Sequence, residues 1–328
     1  MSSAGGLDYK GIPIWRRASQ RALRSRPWEP CVWQEQLRHG EPLRDIIILD
    51  GHAHLGEWPG FFINKPDAGS MVEVMDRIGV QAAIVSANAA LSSNPEYGNQ
   101  MVLQAVRDYP GRILGYVVAN PHYAEDMAES LNRYLDEPGM VGIKLHPECH
   151  DDYPLLGPRY ELAWAIATER HVPVLFHTYF GGDTLEDIAQ LAQKYPGVPL
   201  LVGHMLQDKS LEAMAELANS FPNIYVDLSV PEIFGVTEFF VEALDDVRKL
   251  IFGTDFPWGN CHFRVAAVIY ARVPEETKRR ILGENMAELL GISLQSLVEL
   301  SSRRSEQRPV ERDGHGNVRR DYRRSHPG

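Results

Sequence analysis

Short continuous runs of apolar residues recur along the chain at intervals of about 25 to 35 residues, the length of one strand–helix unit. Each run is uninterrupted rather than alternating, as in strands that are buried on both faces of a parallel sheet. The eight runs read IIILD from 46, AAIVSAN from 82, ILGYVVAN from 113, VGIKLH from 141, VPVLFH from 172, PLLVGH from 199, NIYVDLS from 223 and LIFGTD from 250.

Amphipathic segments separate these runs, and most of them carry apolar residues at the i, i+3, i+4 spacing of a helix. Thr184 and Ser210 stand where N-caps are expected. Eight strands alternating with helices predict an α/β protein with the (β/α)8 TIM barrel fold. A doubly wound sheet is the rival, but no glycine-rich phosphate-binding motif follows the first strand, and this favours the barrel.

The barrel is expected over residues 45–300, with a segment outside the pattern at each end. Residues 1–44 contain Trp15, Trp28 and Trp33, and we predict an N-terminal arm packed on the barrel because exposing three indoles to water is unfavourable. A lid or a dimer contact is the alternative role for this arm. Residues 301–328 are polar and Arg-rich, which predicts a disordered basic tail.

Composition narrows the class of protein. A formal charge of −11 argues against a nucleic-acid partner, because a phosphate backbone would repel the chain. No apolar run approaches the roughly 20 residues that span a bilayer, and the N-terminus has no signal-peptide pattern. The three cysteines lie far apart, as reduced thiols of a cytoplasmic protein would. A small-molecule substrate is the expected partner, with a homodimer as the default assembly.

Titratable side chains occupy the carboxyl-terminal ends of most of the runs. Residues two apart on a strand point to the same side, so His52 and His54 at the end of the first run aim together. Other runs that end in such side chains contribute Lys144 and His146 (fourth), His177 (fifth), His204 (sixth) and Asp255 (eighth). In a parallel barrel these ends share one face, which holds the active site.

Imidazole and carboxylate form a ligand set that suits Zn²⁺ and, less selectively, Fe²⁺ or Mn²⁺. We predict that His52, His54, His177 and Asp255 bind one divalent ion, with Zn²⁺ in first place. Such a site lowers the pKa of a bound water toward about 7 and needs a nearby base to manage the proton. His204 is expected in the site as a ligand or as the proton-transferring group, and His204 and Asp255 are the predicted catalytic residues.

The remaining candidates are less specific. Lys144 is expected to contact a substrate carboxylate, to carry a bridging carbamate, or to pair with an acid inside the barrel. His146 and Arg264 are further candidates for bridging or for binding an acidic substrate. His150 and His262 lie on loops of the same face and are the next candidates for the site. The other histidines are expected to be packing or surface residues.

Several motifs occur in a specific order: DGHAHLG (50–56), GIKLHP (142–147), VLFHT (174–178), VGHM (202–205), FGTDFPW (252–258) and ILGENMAELLG (281–291). HxH alone is a weak signal, but its combination with the later histidines and GTDFP is strong. Over roughly residues 45–292 the chain resembles the amidohydrolase superfamily. The resemblance is to the amidohydrolase-related branch, which includes aminocarboxymuconate-semialdehyde and resorcylate decarboxylases.

The resemblance implies that His52, His54, His177 and Asp255 hold a single divalent ion, most often zinc. It also implies that His204 orients or deprotonates the metal-bound water. Superfamily members with two metal ions use a carboxylated lysine on the fourth strand and the histidine of the sixth. A two-metal site with Lys144 and His204 as ligands is therefore the second reading.

Two reactions fit the same ligands. One is hydrolysis of an ester, lactone or amide carbonyl of a small organic substrate, favoured because hydrolysis is the commonest chemistry of the superfamily. The other is non-oxidative decarboxylation of an aromatic or unsaturated carboxylic acid. Aromatic and glycine-rich loops at 57–62, 178–182 and 257–264 indicate a planar or apolar substrate. A catalytically silent barrel is the third reading, and it is disfavoured because no expected ligand is missing.

Overall fold

Eight parallel strands form one sheet in which each strand pairs with the next along the chain. The computed structural model describes residues 31–178, 183–205, 210–229 and 233–307. The strands are β1 Ile48–Leu55, β2 Val80–Ala87, β3 Ile113–Val118, β4 Met140–Leu145, β5 Val174–His177, β6 Leu200–Gly203, β7 Ile224–Asp227 and β8 Leu250–Ile251. This sequential order is that of a (β/α)8 barrel and excludes the doubly wound alternative.

Backbone hydrogen bonds connect the two ends of the sheet. The amide of Gly51 donates to the carbonyl of Phe252 over 2.9 Å, and the amide of His54 donates to the carbonyl of Phe256 over 2.7 Å. The buried carboxyl of Asp50 reinforces this junction, because it accepts from the amide and the hydroxyl of Thr254. The segment that follows the very short β8 therefore runs along β1, and it brings Asp255 beside the two histidines of that strand.

Helices lie between successive strands, before β1 and after β8, and cover the sheet from outside. They are α1 Val32–Arg38, α2 Ala68–Ile78, α3 Asn88–Ser92, α4 Pro95–Asp108, α5 Ala124–Leu135, α6 Glu161–Arg170, α7 Leu185–Lys194, α8 Leu211–Ser220, α9 Val236–Ala243, α10 Cys261–Ile269, α11 Glu275–Arg279, α12 Asn285–Leu290 and α13 Leu294–Gln307. The predicted N-caps are confirmed: Thr184 caps α7 and Ser210 caps α8, each accepting a backbone amide from three residues on.

Short turns of 3₁₀ helix connect several elements: Pro121–Tyr123, Pro147–His150, Pro158–Tyr160 and Val247–Lys249. A π-helical turn, Arg280–Glu284, joins α11 to α12. The turn Pro147–His150 directly follows β4 and therefore stands at the carboxyl-terminal face of the barrel. None of the helices in the described ranges has both the length and the hydrophobicity that crossing a bilayer requires.

The apolar side chains form two layers. A large cluster packs the outer faces of the strands against the helices, and a smaller one contains Leu49, Ile84, Leu175 and Leu201 from the strands. Side chains of the helices that follow β8, including Leu297 of α13, also belong to the smaller cluster. The smaller cluster fills the interior of the barrel. The polar residues at the carboxyl-terminal ends of the strands line the mouth of the barrel.

Both predicted terminal segments are only partly described. Residues 1–30, with Trp15 and Trp28, lie outside the described residues, as do residues 308–328. In the described part of the arm Trp33 is buried, and the guanidinium of Arg279 lies 4.6 Å from its ring centroid. The predicted tail boundary after residue 300 falls inside α13, which continues to Gln307. The division into arm, barrel and tail stays a prediction.

Candidate metal centre

The strand ends place five of the predicted residues in a buried group at the carboxyl-terminal mouth. His52 and His54 belong to β1, His177 ends β5, His204 follows β6 and Asp255 follows β8, and these side chains are between 1% and 8% exposed. His204 and Asp255 adopt left-handed backbone conformations, with φ of 63° and 57°. Non-glycine residues seldom adopt such values, and they cluster at functional sites.

Three potential ligand atoms converge in this group. The Oδ1 atom of Asp255 lies 3.1 Å from Nε2 of His54 and 3.7 Å from Nε2 of His52. Two atoms that bind one cation at about 2.1 Å are separated by about 3.0 to 3.4 Å when the angle between them is near 90° to 109°. The distance to His54 lies in this range and that to His52 is longer, so the three side chains would fit a divalent ion after the ring of His52 moves closer to Asp255.

The tautomer of His52 follows from its hydrogen-bond partner on β7. The Nδ1 atom lies 2.6 Å from Oδ2 of Asp227, whose carboxylate also accepts from the hydroxyl and the amide of Ser229. A carboxylate only accepts, so Nδ1 of His52 carries the proton and Nε2 directs its lone pair to the centre. On the neighbouring histidine, His54, Nδ1 lies 3.0 Å from the hydroxyl of Ser86.

The same reasoning assigns the tautomer of His204. The hydroxyl proton of Ser229 is donated to Asp227, so Ser229 Oγ accepts from Nδ1 of His204 over 2.9 Å. The lone pair of His204 is then on Nε2, 3.0 Å from Nδ1 of His177. At this distance the two nitrogens either share a proton or bind one cation.

The fourth predicted ligand, His177, contacts the centre through His204 and not through the group of His52, His54 and Asp255. Its Nε2 atom donates to Oε2 of Glu148 over 2.8 Å. This bond leaves the lone pair of His177 on Nδ1, the nitrogen that faces His204. The arrangement allows His177 to act as a ligand through Nδ1.

Burial governs the electrostatics of the centre. Burial lowers the pKa values of His52, His54, His177 and His204, which keeps these imidazoles neutral, as ligation requires. For Asp255 burial raises the pKa, but the hydrogen bond with His54 and the charges around it outweigh that effect, and the pKa is lowered overall. The centre therefore combines neutral imidazoles with an ionised carboxylate.

Lys144, on β4, is fully buried beside the centre. Its Nζ atom lies 2.8 Å from Nε2 of His52, and burial lowers its pKa to about 8, against the opposing pull of the carboxylates of Asp255 and Asp227. The lysine therefore hydrogen-bonds the lone pair of His52 that a metal ion would use. The carbamate and substrate-contact roles of Lys144 stay predictions.

His146 and Arg264 are not brought into the centre in the same way. His146 stacks on His177 with the ring centroids 3.9 Å apart, and its Nδ1 accepts from the amide of Cys149 over 3.3 Å. His146, Glu148 and His177 have ligand atoms within 4.8 Å of one another. We do not assign a metal to this group, because the Nδ1 lone pair of His146 is used by the turn. Arg264 is buried on α10 near the ring of Phe263.

The two further candidates, His150 and His262, lie outside the centre. His150 is fully buried, and its Nδ1 lies 2.7 Å from the hydroxyl of Tyr160. His262 is exposed in the first turn of α10. Neither contributes to the ligand groups found among the described residues.

Four residues that position the histidines were not among the predicted site residues: Ser86, Glu148, Asp227 and Ser229. The histidines were identified as titratable side chains at the carboxyl-terminal ends of strands, which we call the strand-end rule. Asp227 ends β7 and could have been found by the same rule. Ser86 lies within β2 and is an ordinary small residue in sequence. Glu148 lies in a turn whose sequence resembles any solvated loop, so no local signal marks it.

An aromatic wall, Trp58, Phe61 and Trp258, stands beside the centre. The ring of Trp258 lies 5.6 Å from that of His54, 4.5 Å from that of Trp58 and 5.3 Å from that of Phe61. Its indole nitrogen donates to Oδ1 of Asn88 over 3.1 Å, which fixes the ring over the mouth. Two of the loops predicted to favour a planar substrate, 57–62 and 257–264, thus meet beside His54, whereas residues 179–182 of the third loop lie outside the described residues.

Solved structures with a similar fold include two aromatic-acid decarboxylases and one hydrolase. 5-Carboxyvanillate decarboxylase from Sphingomonas paucimobilis has a TM-score of 0.61 and 14% identity, with 76% of this chain and 100% of that chain covered. The same enzyme from Novosphingobium aromaticivorans, in complex with manganese and 4-hydroxy-3-methoxy-5-nitrobenzoic acid, has a TM-score of 0.61 and 15% identity, covering 75% and 96%.

A probable 2-pyrone-4,6-dicarboxylic acid hydrolase from Acinetobacter baumannii has a TM-score of 0.56 and 17% identity, covering 75% of this chain and 99% of that chain. At such identities the likeness concerns the fold. No curated protein is similar enough in sequence to count as a relative. An amidohydrolase family model, however, matches residues 49–292, which is most of the sequence, and the chain therefore belongs to the amidohydrolase family, as its histidine motifs predict.

Proposed function

We propose that this protein is a metal-dependent carboxy-lyase that releases CO₂ from an aromatic carboxylic acid. The observation that carries the proposal is the aromatic wall, in which the indole of Trp258 lies 5.6 Å from the ring of His54. A planar ring stacked on this wall would bring its substituents next to the ligand group. The aromatic-acid decarboxylases among the similar structures support the same class of substrate. Hydrolysis, which the sequence alone favours, becomes the second candidate.

His52, His54 and Asp255 would hold the divalent ion, His177 would be the further ligand through Nδ1, and His204 would serve in proton transfer. When bound, the ion supplies a Lewis-acidic anchor for an anionic oxygen of the substrate. Zinc is the ion that the ligand set predicts, and manganese is bound by a similar structure, so both belong in the test. The ammonium form of Lys144, fully buried beside His52, complements the negative charge of an acid.

Decarboxylation breaks the bond between the ring carbon and the carboxylate, and the electron pair of that bond forms a new C–H bond. The net reaction consumes one proton and releases CO₂. His204 is the residue we assign to transfer that proton to the ring carbon through Nε2, because Nδ1 donates to Ser229 and Nε2 is the nitrogen left to take up and release a proton. Because the centre is buried, the carboxylate of a bound substrate would lose its hydration water, which favours its loss as uncharged CO₂.

Hydrolysis is kept as a second candidate because the same Nε2 atom of His204 could accept a proton from a water molecule. A probable hydrolase of a pyrone dicarboxylic acid is among the similar structures. In that reaction the wall would bind a planar lactone, and His204 would act as the general base. The two candidates differ in the bond that forms. Decarboxylation adds a proton from solvent to a ring carbon, whereas hydrolysis adds an oxygen from water to a carbonyl carbon.

The deciding experiment offers the purified protein, loaded with Mn²⁺ or Zn²⁺, hydroxybenzoates on one side and lactones, aryl esters and amides on the other. In D₂O containing ¹⁸O water, a carboxy-lyase gives CO₂ and one ring deuterium at the carbon that lost its carboxylate. A hydrolase gives a new acid that carries ¹⁸O and no CO₂, and this result would overturn the proposal. The variant His39→Ala, at an exposed histidine that pairs with Glu35, serves as the control with full activity.

A further inference from the structure

We propose that Glu148 is a positioning residue of the metal centre: it holds His177 in the tautomer and orientation that direct Nδ1 toward the ion. This inference rests on the divalent ion of the proposed function, but not on which reaction that ion supports. The contact that carries it is the hydrogen bond from Nε2 of His177 to Oε2 of Glu148, 2.8 Å long.

The position of Glu148 is set by the barrel and not by a loose loop. Its turn, Pro147–His150, starts directly after β4, and β4 pairs with β5 so that Leu145 lies beside Phe176, the residue before His177. His146 caps the turn by accepting from the amide of Cys149, and the amide of Tyr153 donates to the carbonyl of His150. The carboxylate is therefore held above the end of β5.

The hydrogen bond between His177 and Glu148 determines which nitrogen of His177 carries the proton. Because an ionised carboxylate accepts and cannot donate, Nε2 of His177 must carry the proton while Glu148 is bound to it. The lone pair then resides on Nδ1, and that nitrogen lies 3.0 Å from Nε2 of His204. In the opposite tautomer an N–H group would point at the centre and could not bind a cation.

A second contact restrains the same ring from its face. The imidazole of His146 stacks on that of His177 at 3.9 Å with an interplanar angle of 14°. Stacking limits tilt of the ring, but it does not choose between the two tautomers. That choice depends on the hydrogen bond at the edge, which Glu148 provides.

Glu148 also differs from the other positioning residues in being replaceable. Its side chain is 42% exposed, whereas Asp227, which orients His52, is almost fully buried. Replacing Glu148 leaves no buried charge behind, so the barrel should fold normally. A change in metal binding would then report on His177 and not on general damage.

The experiment compares Glu148→Met, which removes the acceptor, with Glu148→Gln, which keeps a neutral acceptor oxygen. Dissociation constants for Zn²⁺ and Mn²⁺ are measured by chelator competition, and melting temperatures are measured on the same samples. We expect Glu148→Met to weaken binding about 10- to 100-fold, as loss of outer-shell partners does elsewhere, with Glu148→Gln between it and the parent. Glu161→Met is the matched control, because Glu161 is an ion-paired glutamate on the surface.

A second readout is independent of metal. In the metal-free protein, ¹⁵N NMR of the imidazole should find His177 with its proton on Nε2, and Glu148→Met should shift it toward a mixture of tautomers. Unchanged metal affinity in Glu148→Met, or a proton on Nδ1 in the parent, would overturn the inference while leaving the proposed function standing. If the parent protein itself binds no divalent ion, the proposed function fails together with the inference.

Discussion

Two groups of buried histidines stand at the same face of the barrel and differ in what their second nitrogen does. In the centre, His52 and His204 each bond outward through Nδ1, to Asp227 and Ser229, and turn Nε2 inward. In the turn after β4, Nδ1 of His146 accepts from an amide of the same turn, and Nδ1 of His150 bonds the hydroxyl of Tyr160. Burial and position alone thus do not make a ligand, because the partner of the other nitrogen decides the direction of the lone pair.

The strongest test of this contrast makes the same substitution in both groups. His54→Gln removes a nitrogen that lies 3.1 Å from Asp255, and we expect metal affinity to fall beyond the roughly 100-fold that loss of an outer-shell partner can cost. His150→Gln should keep metal affinity within about threefold of the parent, because this side chain bonds Tyr160 and belongs to none of the ligand groups among the described residues. Chelator competition measures both constants, and equal losses in the two variants would remove the distinction.

Asp227→Asn tests whether orientation by β7 matters as the contrast implies. The asparagine amide would present N–H groups toward His52 or Ser229, which both need an acceptor there. We expect metal binding to weaken about 10- to 100-fold. Isothermal titration with Zn²⁺ and Mn²⁺ checks this, and full affinity in the variant would show that His52 does not depend on its carboxylate partner.

The pH dependence of stability tests the burial of His150, a member of the second group. Burial lowers the pKa of His150 from 6.5 to about 4, so between these values the unfolded chain binds a proton that the folded chain does not. The stability it contributes is complete above pH 6.5 and is lost as the pH falls toward 4, at about 1.4 kcal/mol per pH unit and on the order of 3 kcal/mol in all.

Urea unfolding of the chelator-treated protein at pH 7 and pH 5 measures this slope. His150→Gln should show a smaller loss of free energy between the two pH values than the parent, because the other histidines are common to both proteins. Equal slopes would mean that His150 is protonated in the folded state, contrary to its buried contact with Tyr160.

Ser86→Ala should give the smallest effect within the centre. The hydroxyl of Ser86 bonds Nδ1 of His54 over 3.0 Å, and a neutral hydrogen bond of this kind contributes about 1 kcal/mol. We expect metal affinity to fall about fivefold with little change in the melting temperature. A loss as large as that of Asp227→Asn would show that the charge of the outer partner matters less than its presence.

Most of the candidate centre could be predicted because it follows from periodicity. The strand-end rule identified His52, His54, His177, His204 and Asp255, and the structure gathers these side chains at one mouth. Asp227 obeys the same rule, but a lone aspartate at a strand end carries no chemical signature of its own. Glu148 and the bond between Trp258 and Asn88 could not be predicted, because their partners lie far away along the chain.

The sequence by itself determined a barrel of eight parallel strands and the shared face of its histidines, since apolar runs of strand length at regular spacing allow few other arrangements. Only the tertiary structure decided which nitrogen of each histidine faces the centre. That choice depends on acceptors contributed by other strands and turns, such as Asp227 for His52 and Glu148 for His177. An imidazole has two nearly equivalent tautomers, so a single long-range hydrogen bond is enough to select between them.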